Sequence, residues 1–203
     1  MRIWNLLATA GAAALLAGAV SLPVNAAEMA NSQLRDSSGK AVGDVDLMQT
    51  PAGVLIKLQI KGLKPGEHAF HIHAVGKCEP PFESAGGHFN PGHTHHGMMS
   101  GEGHAGDMPN LHVPQDGDLS VEVLNREVTL EPGKPNSLFD ADGSSLVIHA
   151  KADDYKSDPA GNAGDRIACG VIQHSGAATV GTSPSAPAPN TPAQRFRGET
   201  SPK

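Results

Sequence analysis

Between Val54 and Lys61 the chain follows a period of two: Val54, Ile56, Leu58 and Ile60 alternate with Lys57, Gln59 and Lys61. Val121 and Val123 flank Glu122 in the same way. Successive side chains on a strand point to opposite faces, so this pattern describes strands with one buried face. Turn chemistry recurs too often for a helix to develop between the runs: DSSGK at 36–40, TPAG at 50–53, LKPGE at 63–67, EPGKPN at 131–136 and DADG at 140–143. No window beyond the N-terminal segment carries a helical period. The expectation is an all-β antiparallel sandwich or barrel. Two stretches, about Val75 to Asn110 and about Ala152 to Asp165, lack any hydrophobic period and are expected to be long functional loops.

Both ends of the chain stand apart. Residues 1–26, MRIWNLLATAGAAALLAGAVSLPVNA, have a basic start at Arg2, a Leu/Ala run and a small-residue site at Val24-Asn25-Ala26, the pattern of a cleaved secretory signal peptide. No later stretch is apolar for long enough to span a bilayer, so no stable membrane insertion is expected after cleavage. Residues 175–203 are rich in Ala, Ser, Thr and Pro and are assigned to a disordered tail. Residues 27–174 are then one domain. Export favours pairing Cys78 with Cys169, the only two cysteines. That bridge would close a loop of about 90 residues, worth roughly 4–5 kcal/mol in the chain-entropy model. Two metal-binding thiolates are the alternative, although neither cysteine has CxxC-type spacing. A net charge of −6 with scattered basic residues argues against a nucleic-acid partner.

The segment HAFHIH at 68–73 sets three histidines into a strand-like stretch. His71 and His73 fall on one face, with Phe70 and Ile72 on the other. Such a pair is either half of a metal site or two solvent-facing histidines on an edge strand. HFNPGHTHHG (88–97) and GHAGD (103–107) add His88, His96, His104 and Asp107, donors of the kind a closed zinc site takes. His149 ends the apolar run of LVIHAKADD (146–154).

GEHAFHIHAVGKC (66–78), GGHFNP (86–91), GHAGD, LVIHAKADD and GNAGDRIACGVI (161–172), in that order and spacing, resemble the copper/zinc superoxide dismutases, and best the bacterial exported type. The resemblance covers essentially all of 27–174 and implies a Greek-key, immunoglobulin-like β-barrel that dismutes superoxide in the periplasm, as a homodimer or a monomer. It implies copper on His71, His73, His88 and His149, and zinc on His88, His96, His104 and Asp107, with His88 bridging. Asp153 is implied as the carboxylate that orients His71 and His96, Arg166 as the arginine beside copper, and Cys78–Cys169 as the intrasubunit disulfide. His68 matches a histidine that bonds backbone and ligates nothing. Only the eight-residue spacing from His88 selects His96 over His93 and His95. Those two, with Met98 and Met99, are read as surface decoration, with a loose copper-collecting patch of imidazole and thioether donors the alternative. The second loop is shorter than in the animal enzymes, which shifts substrate guidance elsewhere, with Lys77 a candidate. The rival reading is a non-catalytic copper/zinc carrier on the same fold; a structural immunoglobulin-like domain would leave the His/Asp set unexplained.

Overall fold

The computed structural model describes residues 27–178 apart from Ser100 and Glu102. Ten strands follow in order: β1 (Ala27–Asp36), β2 (Ala41–Thr50), β3 (Gly53–Ile60), β4 (Gly66–His68), β5 (Phe70–His73), β6 (Leu111–Val113), β7 (Leu119–Asn125), β8 (Ser145–His149), β9 (Arg166–Val171) and β10 (Gln173–Ala178). Among the described residues the one helical element is a single 3-10 turn, Glu83–Ala85. All the ladders between strands are antiparallel. The large sheet runs β5-β8-β9-β1-β2-β3-β7, with β10 also on β1, and β4 pairs β6 apart from it. Three consecutive strands with a later one returning beside the first, β9-β1-β2-β3, is Greek-key topology.

The period-two run is β3, and its apolar set points inward: Val54, Ile56, Leu58 and Ile60 are all buried, against Leu34, Val45 and Leu47 of β1 and β2 in one core. Phe70 and Ile72 of β5 and Leu146 and Ile148 of β8 join it. Truncating any of these leucines or isoleucines to alanine would cost about 2–5 kcal/mol, because a packed core collapses only partly around the cavity. The turn signals fall between strands or at their ends, LKPGE running into the first two residues of β4. Cys78 and Cys169 form a disulfide with a Cα–Cα distance of 5.6 Å, which ties the long loop after β5 to β9.

One boundary needs correction. Residues 175–178, given to the tail by composition, belong to β10, where Gly176, Ala177 and Ala178 pair with Met29, Glu28 and Ala27 of β1. Small residues have little to bury, yet their backbone groups can complete a ladder, and composition is blind to that. Of the two readings of His71 and His73, burial excludes the solvent-facing one. All four residues of β5 are buried, although β5 is the end strand of the sheet, because the loop from Ala74 to Asn110 folds back over the histidine face. Residues 1–26 and 179–203, the expected signal and most of the expected tail, lie outside the described residues. No helix among the described residues is long and apolar enough to cross a membrane.

Candidate metal centre

Three pieces of chain converge on one side of β5. β5 supplies His71 and His73, and β8 supplies His149, where a register shift between Ile148 and His149 against β9 turns the last side chain of the strand. The long loop supplies the rest. It is laid on β5 by backbone bonds: Ile72 N to Gly106 O at 2.9 Å, Phe89 N to Ile72 O at 2.8 Å and Gly106 N to Phe89 O at 2.8 Å. A Cβ on Gly106 would strike the Ile72 carbonyl, so only glycine lets these backbones approach so closely.

One nitrogen of each ring in the group His71, His73, His88 and His149 is engaged, and the other faces a shared space. His73 Nδ1 donates to Gly86 O at 3.0 Å and His149 Nδ1 donates to Gly164 O at 3.2 Å. Those carbonyls only accept, so both Nε2 atoms carry lone pairs, and they point at each other across 3.4 Å. His71 Nε2 donates to Asp153 Oδ2 at 2.8 Å, which leaves a lone pair on Nδ1. His71 Nδ1 and His88 Nε2 are buried with no hydrogen-bond partner. Unpaired acceptors turned toward one another in a dry interior are costly, and a cation between them removes the cost. Burial, first of all, holds His71, His73 and His149 neutral, with pKa values lowered to about 4, about 2 and about 3. Neutral imidazole is the form that ligates.

The second group gathers around Asp107 Oδ1. His88 Nδ1 lies 2.8 Å from it, His96 Nδ1 3.1 Å and His104 Nδ1 3.5 Å, while His104 Nδ1 and His88 Nδ1 are 3.4 Å apart. Zinc bonds of about 2.0–2.1 Å in a tetrahedron separate the donor atoms by roughly 3.3 Å, so this spacing fits that ion. Burial alone would raise the Asp107 carboxyl, but bonds from His88 and the Gly97 amide outweigh it and bring the pKa down to about 2. In each group the ligand atoms lie within 4.8 Å of one another, and His88 belongs to both.

Asp153 links the groups from behind. Its Oδ2 takes the His71 bond, and its Oδ1 accepts from His96 Nε2 at 3.0 Å and from the Tyr155 amide at 2.6 Å. Burial acts to raise its pKa, but the bonds from His71 and His96 hold it well below the ordinary carboxylate range. Asn110 clamps the Asp153 backbone from both sides, Oδ1 accepting from its N–H at 2.8 Å and Nδ2 donating to its carbonyl at 2.9 Å. Arg166 does not pair with Asp165: its guanidinium donates to Phe82 O and Gly86 O at 2.7 Å each, with Glu83 Oε2 at 3.7 Å. Gly86 O therefore receives both Arg166 and His73, which fixes the guanidinium beside the His73 ring.

Other expected residues fall elsewhere. His68 contacts the His149 and Lys64 carbonyls, both at 2.8 Å, and stands in neither group. His95 meets Asp158 instead of a metal group, and among the described residues no third group of His, Cys, Asp or Glu donors gathers. Lys77 is paired with Glu79 at 3.1 Å. Asn110 belongs to none of the motifs of the sequence. Asn110 lies three residues beyond Asp107, but its partner is 43 residues away, and no local pattern carries that signal.

The family model for copper/zinc superoxide dismutase (SODC) matches residues 41–172. The chain belongs to the copper/zinc superoxide dismutase family. Superoxide dismutase [Cu-Zn] 1 of Aquifex aeolicus is 56% identical over 146 residues, 70% of this chain and 86% of the relative. Among solved structures, a double mutant of a SOD-like protein from Bacillus subtilis matches with TM-score 0.68 at 42% identity, covering 70% of this chain and 95% of that one. Cu/Zn superoxide dismutase from Brucella abortus matches with TM-score 0.60 at 32% identity, covering 72% and 100%. Family membership, the fold and the two donor groups thus agree.

Proposed function

We propose that the chain is an exported superoxide dismutase that converts two superoxide radicals and two protons into dioxygen and hydrogen peroxide. Copper would sit among His71, His73, His88 and His149, and zinc among His88, His96, His104 and Asp107. The observation that carries this reading is His88, whose two ring nitrogens serve two different groups of converging lone pairs. When bound, copper supplies a one-electron couple and zinc a charge without redox chemistry.

The chain's own residues account for the rest. Asp153 fixes the rings of His71 and His96 through their far nitrogens, which sets the tautomers that leave His71 Nδ1 and His96 Nδ1 as donors. Arg166 offers a small anion a fixed positive charge with directed N–H groups, because the Phe82 and Gly86 carbonyls prevent it from swinging away. His88 Nε2, buried and free of other hydrogen-bond partners, is the atom suited to hold a proton for the product. A carrier would have no use for a pinned Arg166 or for a histidine common to both groups.

In the same reading residues 1–26 direct export and are removed, residues 27–178 form the working domain and the periplasm is the destination. The Cys78–Cys169 bridge suits that oxidising compartment. The test is superoxide consumption by the mature protein loaded with both metals, with and without cyanide. Fast, cyanide-sensitive dismutation is expected. Full loading without turnover would favour the carrier.

A further inference from the structure

The two long loops meet outside both donor groups. Asp158 Oδ1 accepts the main-chain N–H of His96 at 2.5 Å, and Oδ2 receives His95 Nδ1 at 2.6 Å. Beside this contact the Met99 amide donates to the Tyr155 carbonyl at 3.0 Å, and the Asn110 amide donates to the Tyr155 hydroxyl at 2.7 Å. The loops touch so closely that a Cβ on Gly97 would strike the Tyr155 carbonyl and come within 2.7 Å of the Lys156 nitrogen. One short segment, Tyr155 to Asp158, thus fastens the stretch that carries His96.

We infer that Asp158 is a positioning residue for the zinc group, holding the His96 backbone so that zinc is retained. The inference rests on the zinc reading above. Asp158 is a member of neither group: its oxygens bond the His96 main chain and the ring of the exposed His95, which is also in neither group, and only its charge reaches the His104 ring, so its contact with the zinc group runs through the His96 backbone. The His96 ring already meets Asp107 at one nitrogen and Asp153 at the other, so a shift of its backbone misaligns both contacts. The bond to the backbone amide is charge-assisted and local to a ligand. The His95 arm is an exposed pair, with the His95 side chain 88% accessible, and such pairs contribute little. The arms should therefore separate by mutation. Loss of partners that orient metal ligands typically weakens a site by about 10–100-fold.

The experiment follows zinc release to a chromogenic chelator from the mature protein, with Co(II) spectra of the same site recorded in parallel. Asp158→Ala should release zinc about ten-fold faster or more and shift the Co(II) bands, while copper uptake is unchanged. His95→Gln should stay within about twofold of wild type. A wild-type release rate and Co(II) spectrum in Asp158→Ala, even with a lowered melting temperature, would overturn the inference and leave Asp158 a mere loop brace. Equal acceleration in His95→Gln would overturn it too. Should Asp158→Ala not fold, Asp158→Ser, which keeps a small polar group too short to span both partners, decides by the same criteria. Wild-type protein that takes up no zinc at this group would instead refute the zinc reading itself.

Discussion

Replacing Gly161 with alanine tests how the two donor groups are held together. Gly161 sits at φ +61°, and a Cβ there would land inside the Asp153 carboxylate and 2.8 Å from His96 Nε2. The methyl and the carboxylate cannot share that space, so Asp153 must rotate or the loop must lift. Either movement breaks the bonds from His71 and His96, which are 2.8 and 3.0 Å long. Hydrogen bonds to a charged group contribute about 1.5–3 kcal/mol each, so two amount to roughly 3–6 kcal/mol. Alanine in the left-handed region adds about 1 kcal/mol. The sum, about 4–7 kcal/mol, is comparable to the whole stability of an ordinary domain, typically 5–15 kcal/mol. Urea unfolding of the metal-free protein with the disulfide intact measures it, with zinc content assayed after reconstitution. The expected result is a much lower midpoint and zinc well below one per chain. A loss under about 1 kcal/mol with full zinc would show that the Asp153 link does not hold the groups.

Further expectations follow from other contacts. Arg166→Ala should keep both metals and lower the superoxide rate constant by about ten-fold at low ionic strength, measured by pulse radiolysis; an unchanged rate would remove Arg166 from substrate guidance. In the metal-free protein, His71, His73 and His149 titrate far below the unfolded value of about 6.5, so below that pH the unfolded chain takes up protons that the fold refuses. Stability, full above about pH 6.5, should fall toward pH 4, by up to about 4 kcal/mol at pH 5.5 for three such histidines; urea midpoints equal at pH 7.5 and 5.5 would contradict this. Truncation after His174 removes the pairing of Gly176 to Ala178 with β1 and should cost about 1–3 kcal/mol relative to truncation after Ala178, read from thermal unfolding.

What could be read in the sequence was what is local or carried by residue type. The alternation at Val54, Ile56, Leu58 and Ile60 marked a strand and its buried face, because burial there follows the backbone period. The motifs around His71, His88, His104 and His149 pointed to imidazoles that the fold does gather into two groups, because residue type and order are written in the sequence. What escaped depends on contacts between distant segments. β10 runs past the expected boundary through main-chain pairing with β1, which leaves no mark in side chains. The Asn110 clamp on Asp153 and the Asp158 contact with His96 join residues 43 and 62 positions apart. The burial of His71 and His73 on an end strand depends on a loop that carries no period of its own.

The claim that His88 serves two metals at once is tested most directly by electron paramagnetic resonance of protein carrying copper in one group and cobalt in the other. The expected result is a copper signal strongly broadened or lost through magnetic coupling across the His88 ring, and restored in His88→Ala protein that still holds copper. A sharp, full-intensity copper signal in wild-type protein with both groups filled would contradict it.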